Sequence, residues 1–165
     1  MRFIYIIILF FIWSNCHSQE EYASLPDLEI KEKVRACYLV FFEIYDVTYS
    51  SDIENKNRCI KLDYLKNFNK KELADATEKI FSDLYGEKMK KIHDKNLSII
   101  INSYEDVSPG DSYKFCARDL GDGFMIRNGK FIVSLQDKDF NEKFLKIWVK
   151  GIIKNNKPIW NFSKC

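Results

Sequence analysis

The sequence predicts an α+β domain in which a large antiparallel sheet carries helices on one face. Runs rich in β-branched and aromatic residues are separated by polar turns, which is typical of strands. Two other segments place apolar residues at helical spacing. Along the chain, strands are followed by a helix, then by more strands and a last helix. This order favours an antiparallel sheet with its helices grouped on one side.

The N-terminal residues predict a targeting segment. Residues 1–2 give a positive start, residues 3–13 are apolar and uncharged, and small and polar residues follow over 14–19. This pattern indicates a signal peptide over residues 1–18, cleaved after Ser18. The apolar run is too short to span a bilayer, which takes about 20 residues.

The rest of the chain divides into a polar leader over residues 19–33 and one folded domain over residues 34–165. Because a signal peptide implies export, we expect the domain to be periplasmic or secreted. Cys16 leaves an alternative open, since bacterial lipoproteins carry an acylated Cys just after the apolar run. Trp13 and Asn15 stand where lipoproteins usually have Leu and a small residue, so we expect membrane attachment only if Cys16 is lipidated.

The composition argues against nucleic acid as a partner. The chain has 26 Lys and Arg against 24 Asp and Glu, for a net charge of +2, and loss of residues 1–18 removes only one of these charges. No strongly basic field remains for binding phosphates. Aromatic residues make up 15% of the chain, which is enough to build a thick core or to line an apolar pocket.

The predicted mature chain keeps four cysteines and one histidine. An exported context permits disulfides, and four cysteines allow three pairings, which the sequence leaves open. Cys37 and Cys59 could equally be small buried residues, whereas Cys165 is the best candidate to pair or to remain free. The spacing of these residues and Cys116 matches no zinc pattern, and His93 stands alone. We expect no metal and no cofactor.

The first half of the domain predicts two strands and a helix. Val34–Tyr49 is apolar on both alternating faces and indicates one long strand, and Arg58–Tyr64 indicates the next. Asn69 and Glu72 form the pattern of a capping box. The apolar stripe of the following helix consists of Leu73, Ala76, Ile80, Phe81 and Leu84. Gly86 is expected to break or end this helix.

The second half predicts four strands and a last helix. Leu97–Ile101 is a short apolar strand, while Ser112–Arg118 and Gly123–Arg127 form a pair. The Asn-Gly dipeptide at 128–129 predicts a tight hairpin into Lys130–Val133. The final helix is capped by Asp137 or Asp139, has an apolar stripe of Phe140, Phe144, Ile147 and Trp148, and stops at Gly151.

Few residues suggest catalysis, and we name no catalytic residue. The sequence has neither a Gly-rich phosphate loop nor a Ser nucleophile elbow. Asp119 and Asp122 resemble part of a calcium loop but lack its spacing, so we interpret them as a hairpin turn. His93 beside Asp94 follows a Lys-rich helix end and is interpreted as a surface residue.

Arg35 is the one candidate binding residue. It lies near the start of an apolar strand, on the same predicted face as Cys37, Leu39 and Phe41. A cation beside an apolar surface suits an anionic head group with a hydrocarbon tail, such as a fatty acid. We therefore name Arg35, Leu39 and Phe41 as ligand-binding residues. The alternative is an Arg at a strand end that reaches solvent or pairs with a local carboxylate.

Three stretches of the sequence resemble the chalcone isomerase-like proteins of bacteria. Phe41–Tyr49 looks like the first long strand of that family, and Leu62–Leu73 looks like the strand end and helix start that follow it. The third stretch combines Phe124, Asn128, Gly129, Asp137 or Asp139 with Phe140, Ile147, Trp148 and Gly151. The resemblance covers roughly residues 34–151.

The resemblance implies an open-faced β-sandwich with a cleft between sheet and helices. In the plant isomerases of the family this cleft closes a flavanone ring with an Arg and Thr, Tyr and Asn partners. In non-catalytic relatives it holds a fatty acid with an Arg near the carboxylate, and Arg35 is the candidate for that residue. Glu43 follows Phe42 where the plant enzymes have a Thr, which is a departure from the catalytic pattern.

The sequence therefore predicts an exported, non-catalytic protein that holds a fatty acid or another small amphipathic ligand in the cleft. One alternative is an intramolecular lyase, which would need polar groups converging around Arg35. Another is an envelope scaffold or interaction protein, whose cleft would be filled by its own side chains. An apolar cavity of about 300 Å³ or more would favour ligand binding.

Overall fold

The computed structural model describes residues 28–38, 42–151 and 158–165. The predicted signal peptide and most of the predicted leader lie outside these residues. The strands are β1 Glu29–Tyr38, β2 Phe42–Ser51, β3 Arg58–Tyr64, β4 Ser112–Ala117, β5 Gly123–Arg127, β6 Lys130–Leu135, β7 Val149–Gly151, β8 Ile159–Trp160 and β9 Ser163–Lys164. The helices are α1 Lys70–Ile92, α2 Asp94–Asn102 and α3 Lys138–Lys146.

The main sheet has seven strands in the order β6-β5-β4-β3-β2-β1-β9, and all neighbours are antiparallel. Strands β7 and β8 form a separate pair. The order follows the chain from β1 to β6, so the sheet is a meander with long connections only where helices intervene. This confirms the predicted α+β class with a large antiparallel sheet.

The inner face of the sheet packs against all three helices. On neighbouring strands, Tyr45, Val47 and Tyr49 lie opposite Tyr64, Leu62 and Ile60. These residues share one buried core with Leu73 and Phe81 of α1, Leu97 and Ile100 of α2, and Phe140 and Phe144 of α3. The helices therefore cover one face, as predicted. Within the described residues, no helix combines the length and apolarity needed to cross a membrane.

The outer face of the sheet is polar along β1 to β4. Arg35 lies opposite Asp46, and Lys61 lies opposite Lys114. A second, smaller apolar cluster lies toward the end of this face. It consists of Cys59, Cys116 and Phe124, with Leu28, Ile126 and Phe131 packed against it. The two faces thus differ in chemistry, and the larger core lies on the helix side.

Helix α1 begins as predicted and continues farther than predicted. The Asn69 side chain accepts a hydrogen bond from the Glu72 amide, and the Glu72 carboxylate accepts one from the Asn69 amide. This is a complete capping box. Gly86 breaks the helix with φ 79°, a value that a residue without Cβ adopts readily. The chain then resumes helical geometry up to Ile92 instead of ending.

The predicted single strand over Val34–Tyr49 is wrong, because the chain there forms two antiparallel strands. Strand β1 begins at Glu29, inside the predicted leader, and strand β2 begins at Phe42. Residues 39–41, between the two strands, lie outside the described residues. This stretch lacks the Gly, Pro, Asn and Asp that normally mark turns, so no local pattern predicted a division into two strands.

The predicted strand over Leu97–Ile101 is also wrong, because these residues belong to helix α2. Short apolar runs do not distinguish a strand from a buried helix. Leu97 and Ile100, three residues apart, both enter the core, which is the helical spacing. The last helix likewise ends at Lys146, so that Trp148 lies beyond it and residues 149–151 form β7.

Two predicted local motifs are confirmed. Asn128 and Gly129 both have positive φ, 49° and 79°, as a tight two-residue hairpin between β5 and β6 requires. The Asp137 side chain accepts a hydrogen bond from the Phe140 amide and so caps α3. Of the two predicted candidates, Asp137 is therefore the capping residue.

Both pairs of cysteines form disulfides. Cys59 and Cys116 lie opposite each other on β3 and β4 and are bonded. Cys37 of β1 is bonded to Cys165, across a separation of 128 positions. The second bridge fastens the C-terminal residues to a strand near the edge of the sheet. The alternative that Cys37 and Cys59 are buried free thiols is thus not what the structure shows.

The double substitution Cys37→Ser with Cys165→Ser is expected to lower the free energy of unfolding by about 2–4 kcal/mol, because it releases a long closed loop in the unfolded chain. Chemical denaturation of the variant and of the wild-type protein, both with Cys59–Cys116 intact, measures this difference. Equal denaturation midpoints and slopes would show that the bridge does not stabilise the fold.

Candidate functional site

A cavity of about 510 Å³ lies between helix α1 and the inner face of the sheet. Strands β2 and β3 form its floor, α1 forms one wall, and single aromatic residues close it elsewhere. Its lining residues are Ile44, Tyr45, Tyr64, Phe68, Glu72, Leu73, Ala76, Thr77, Lys79, Ile80, Asp83, Tyr104 and Trp148. This volume of about 510 Å³ is above the threshold of about 300 Å³ that favours ligand binding.

Helix α1 lines this space with side chains of different length. Leu73, Ala76, Thr77 and Ile80 follow the i, i+3, i+4, i+7 pattern and line the cavity, with Thr77 buried and Ala76 exposed at the mouth. Leu73 and Ile80 are long enough to reach the core, whereas Ala76 and Thr77 between them are short. The cavity lies beside these two short side chains.

The sheet side of the cavity is aromatic. The rings of Tyr45 and Tyr64 meet edge to face at 5.9 Å between centroids, and Tyr64 meets Phe68 in the same way at 6.0 Å. Trp148 closes the end of the row against Tyr45, at 6.3 Å. Because rings have few rotatable bonds and support one another in this geometry, the wall is rigid.

Four hydroxyl groups give the apolar cavity a polar component. The Thr77 Oγ1 and the Tyr104 hydroxyl are hydrogen bonded at 3.1 Å, and both residues are buried. The hydroxyls of Tyr45 and Tyr64 have no hydrogen-bond partner among the described residues. Burial raises the pKa of Tyr45 to about 12 and also raises the pKa values of Tyr64 and Tyr104. All three tyrosines are therefore uncharged at neutral pH.

Charged residues occur only at the mouth of the cavity, among the residues that line it. Glu72, Lys79 and Asp83 are exposed on successive turns of α1. Lys79 Nζ lies 2.8 Å from an Asp83 carboxylate oxygen, so its charge is paired. Glu72 serves in the capping box of the same helix. The interior is thus neutral, and the mouth carries one more negative than positive charge.

The C-terminal residues 158–165, here called the C-terminal strap, support the aromatic wall from behind. The Phe162 ring meets the Tyr45 ring edge to face at 6.0 Å. The Asn161 side chain donates hydrogen bonds to the carbonyls of Lys146 and Ile147, and the Trp160 indole donates one to Glu32. Together with the disulfide, these bonds hold the C-terminal strap across the end of the core.

A second, much smaller cavity of about 20 Å³ lies deeper in the core, toward β4 and α3. It shares Tyr64, Tyr104 and Trp148 with the larger one. Its volume is enough for about one water molecule. The three shared residues therefore form a partition between the larger cavity and the centre of the core.

Arg35 lies on the outer face of the sheet and does not line this cavity. Its guanidinium donates hydrogen bonds to Asp46 at 2.8 and 3.2 Å and to Glu43 at 3.0 Å, and its side chain is 43% exposed. The pairing lowers the pKa of Asp46. Leu39 and Phe41 lie outside the described residues. Ligand binding by Arg35, Leu39 and Phe41 stays a prediction, and the cavity is built from other residues.

The interpretation of His93 as a surface residue is wrong, because only 4% of it is exposed. Its ring lies between Phe81 and Phe140, with Nε2 at 3.0 Å from an Asp139 carboxylate oxygen. The residue follows the last turn of α1, and the sequence could not show that the start of α3 packs there. His93 therefore ties α3 to the α1–α2 junction and lies away from the cavity.

The Asp119 and Asp122 segment forms the turn between β4 and β5, as interpreted. Arg118 pairs with the buried Asp122 carboxylate, and the Arg118 amide donates to the Asp122 carbonyl at 2.9 Å. In the part of the chain that the structure describes, no group of three or more His, Cys, Asp or Glu side chains could hold a metal ion.

The described residues form an open-faced fold, a large antiparallel sheet with helices on one face, as the resemblance implied. A solved structure that matches is the crystal structure of the Arabidopsis thaliana fatty-acid binding protein AtFAP1. It has a TM-score of 0.59 and 8% sequence identity, over 77% of this chain and 82% of that chain. No protein-family model matches the sequence, and no curated protein is significantly similar to it. At this identity the likeness shows the fold.

Replacing Thr77 by Val is expected to destabilise the protein by about 1–3 kcal/mol, because the buried Tyr104 hydroxyl loses its partner. Tyr104→Phe should have a similar effect. The double variant should lose less free energy of unfolding than the two single variants lose in sum, because it contains no unpaired hydroxyl. Urea denaturation of the four proteins measures the coupling, and strictly additive losses would show that the hydrogen bond is not formed.

The stability of the protein should fall as the pH rises from about 10 to about 12. The pKa of Tyr45 is higher in the folded than in the unfolded chain, so its contribution is complete below the unfolded value and is lost above it. Tyr45→Phe removes this term and should reduce the loss over this range by about 1–2 kcal/mol. Denaturation curves at several alkaline pH values test this, and identical pH slopes for both proteins would contradict it.

Proposed function

We propose that this protein is an exported, non-catalytic binding protein that holds a small amphipathic ligand, such as a fatty acid, in the cavity between α1 and the sheet. The cavity itself carries the proposal. It has a volume of about 510 Å³, and its floor and inner walls are apolar and aromatic. It opens to solvent at one side, and its volume lies within the range of small-molecule sites.

A ligand would compensate for the cost of keeping this space. An unfilled apolar cavity loses dispersion contacts on every wall, and that loss grows with its volume. The rigid aromatic floor and the supporting C-terminal strap hold the cavity in shape before a ligand arrives. Preorganisation of this kind reduces the entropic cost of binding. The matching structure of AtFAP1, whose name describes a fatty-acid binding protein, is consistent with this use of the fold.

Two further observations bear on export and on the alternatives. Two disulfides support an oxidising compartment, in agreement with the signal peptide predicted for residues 1–18. The isomerase alternative required polar groups around Arg35 in the cleft, and Arg35 instead pairs with acids on the outer face. The scaffold alternative required a filled cleft, and the cleft is open.

The test is a variant that fills the cavity from its mouth. Ala76 lies on α1, is exposed to solvent and lines the cavity, so Ala76→Trp places a large ring in the opening without removing core packing. Native mass spectrometry of protein purified from its own host, followed by lipid extraction, should find a bound small molecule on the wild-type protein. Ala76→Trp should reduce the bound fraction at least about tenfold.

Asp75→Trp is the matched control. Asp75 is the preceding residue on α1, is exposed and does not line the cavity, so the same ring is added outside it. This variant should retain the wild-type bound fraction. If the wild-type protein carries no small molecule and binds no added fatty acid, the protein is better described as a scaffold.

A further inference from the structure

We propose that the inner end of this cavity takes an uncharged hydrogen-bonding group of the ligand. The inference rests on the proposed function and narrows the ligand class. The ligand would be an apolar molecule that carries a hydroxyl, ketone or ester group, in preference to a molecule whose ionised carboxylate enters the cavity. An ionised group, where a ligand has one, would stay in solvent outside the cavity.

The first observation is the unsatisfied hydroxyl of Tyr64. Only 4% of this residue is exposed, it lines the cavity, and its hydroxyl hydrogen bonds to no described residue. The oxygen is not one of the fully buried unpaired side-chain atoms of the described residues, so it is accessible from the cavity. A hydroxyl in that position pairs with water or with a ligand. Tyr45 beside it is half-buried, and its hydroxyl likewise hydrogen bonds to no described residue. Two adjacent phenols therefore have free hydrogen-bonding capacity facing a space that is otherwise apolar.

The other hydroxyls in the aromatic cluster provide an internal comparison. The Tyr113 hydroxyl accepts a hydrogen bond from the Glu105 amide at 2.9 Å, and the Tyr104 hydroxyl is paired with Thr77. Tyr113 does not line the larger cavity. The fold thus satisfies the hydroxyls of Tyr104 and Tyr113 and leaves those of Tyr45 and Tyr64. This distribution is expected if the ligand supplies the missing partner.

The second observation is the distribution of charge. Lys79 is the only cation among the described residues that line the cavity, and it is exposed and paired with Asp83. A carboxylate in the interior would meet no positive charge, and burying an unpaired charge is far more costly than burying a hydroxyl that forms a hydrogen bond. Glu72 and Asp83 at the mouth add repulsion. An uncharged group has neither penalty.

The protonation state of the tyrosines agrees with this preference. Because burial raises the pKa values of Tyr45 and Tyr64, both remain phenols well above neutral pH. A phenol can donate to a carbonyl or ether oxygen and can accept from a hydroxyl. The pair can therefore bind alcohols, ketones and esters by the same two groups, and the shape of the cavity would select among them.

The experiment compares decan-1-ol with decanoate by isothermal titration calorimetry at pH 8, where the acid is ionised. The two probes have the same chain length and differ in the charge of the head group. The wild-type protein should bind decan-1-ol at least about tenfold more tightly than decanoate. Tyr64→Phe should weaken decan-1-ol binding about fivefold and leave decanoate binding unchanged, because it removes one hydrogen bond to the alcohol.

Tyr113→Phe is the matched control, since it removes a hydroxyl from the same cluster outside the cavity and should leave both affinities unchanged. Circular dichroism melting curves establish that each variant is folded, and Tyr45→Phe replaces Tyr64→Phe if the latter does not fold. Equal binding of both probes, with no effect of either tyrosine substitution, overturns the inference and leaves the proposed function intact. Failure of the wild-type protein to bind either probe overturns both.

Discussion

The contact between α1 and the aromatic inner face of the sheet determines the rest of the structure. A sheet with one apolar face must bury that face, and three helices do so here. Helix α3 and helix α2 complete the burial with large side chains such as Phe140, Phe144 and Ile100. Helix α1 differs, because Ala76 and Thr77 interrupt its stripe of large residues. The cavity lies beside this part of the stripe.

The elements around the cavity explain why the space does not collapse. Collapse would require α1 to move toward β2 and β3, but its N-terminal end is tied to the segment before β4. Phe68 and Val107 exchange backbone hydrogen bonds, and the Lys70 amide donates to Asp106. Farther along, Phe81 packs in the core against Phe140. On the sheet side, Tyr45 is held between Tyr64, Trp148 and Phe162 of the C-terminal strap. The disulfide between Cys37 and Cys165 joins the C-terminal strap to β1.

The sequence predicted the elements whose signals are local. The capping box, the Asn-Gly hairpin and the Asp137 cap depend on residues a few positions apart, and each is present. The class of fold followed from the order of these elements. The division into β1 and β2 and the helix over Asp94–Asn102 were missed, because their apolar residues fit more than one local structure and only tertiary packing decides between them.

The candidate site was harder to predict, because it depends on which residues share a face. The grouping of Arg35 with Leu39 and Phe41 assumed an unbroken alternation from residue 34 onward. A register shift occurs between Ala36 and Cys37, where Cys37 pairs with Glu43 and Ala36 with Tyr45. The shift lets Glu43 and Asp46 both reach Arg35 on the outer face. The alternation of inward and outward side chains therefore cannot be extrapolated past this register shift.

The cavity could have been partly inferred from two signals in the sequence. Ala76 and Thr77 are small residues within an otherwise large apolar stripe, and Tyr64 shares an alternating face with Ile60 and Leu62. Each signal alone has an ordinary explanation. Small residues on a helix also allow close packing against a neighbour, and a Tyr on an apolar face can simply be part of the core. Their meaning depends on α1 lying over the ends of β2 and β3, which is a long-range relation that no local pattern encodes.

The low identity with a solved protein of the same fold follows from what the fold requires. Inner-face positions need apolar residues of roughly the right size, and many sequences provide them. The fold does not constrain the position of a charged group in this way. Arg35, for example, pairs with acids on the outer face, and this requires no change in the sheet or the helices. Ligand chemistry must therefore be argued from the cavity of this chain, where the polar groups are tyrosine and threonine hydroxyls.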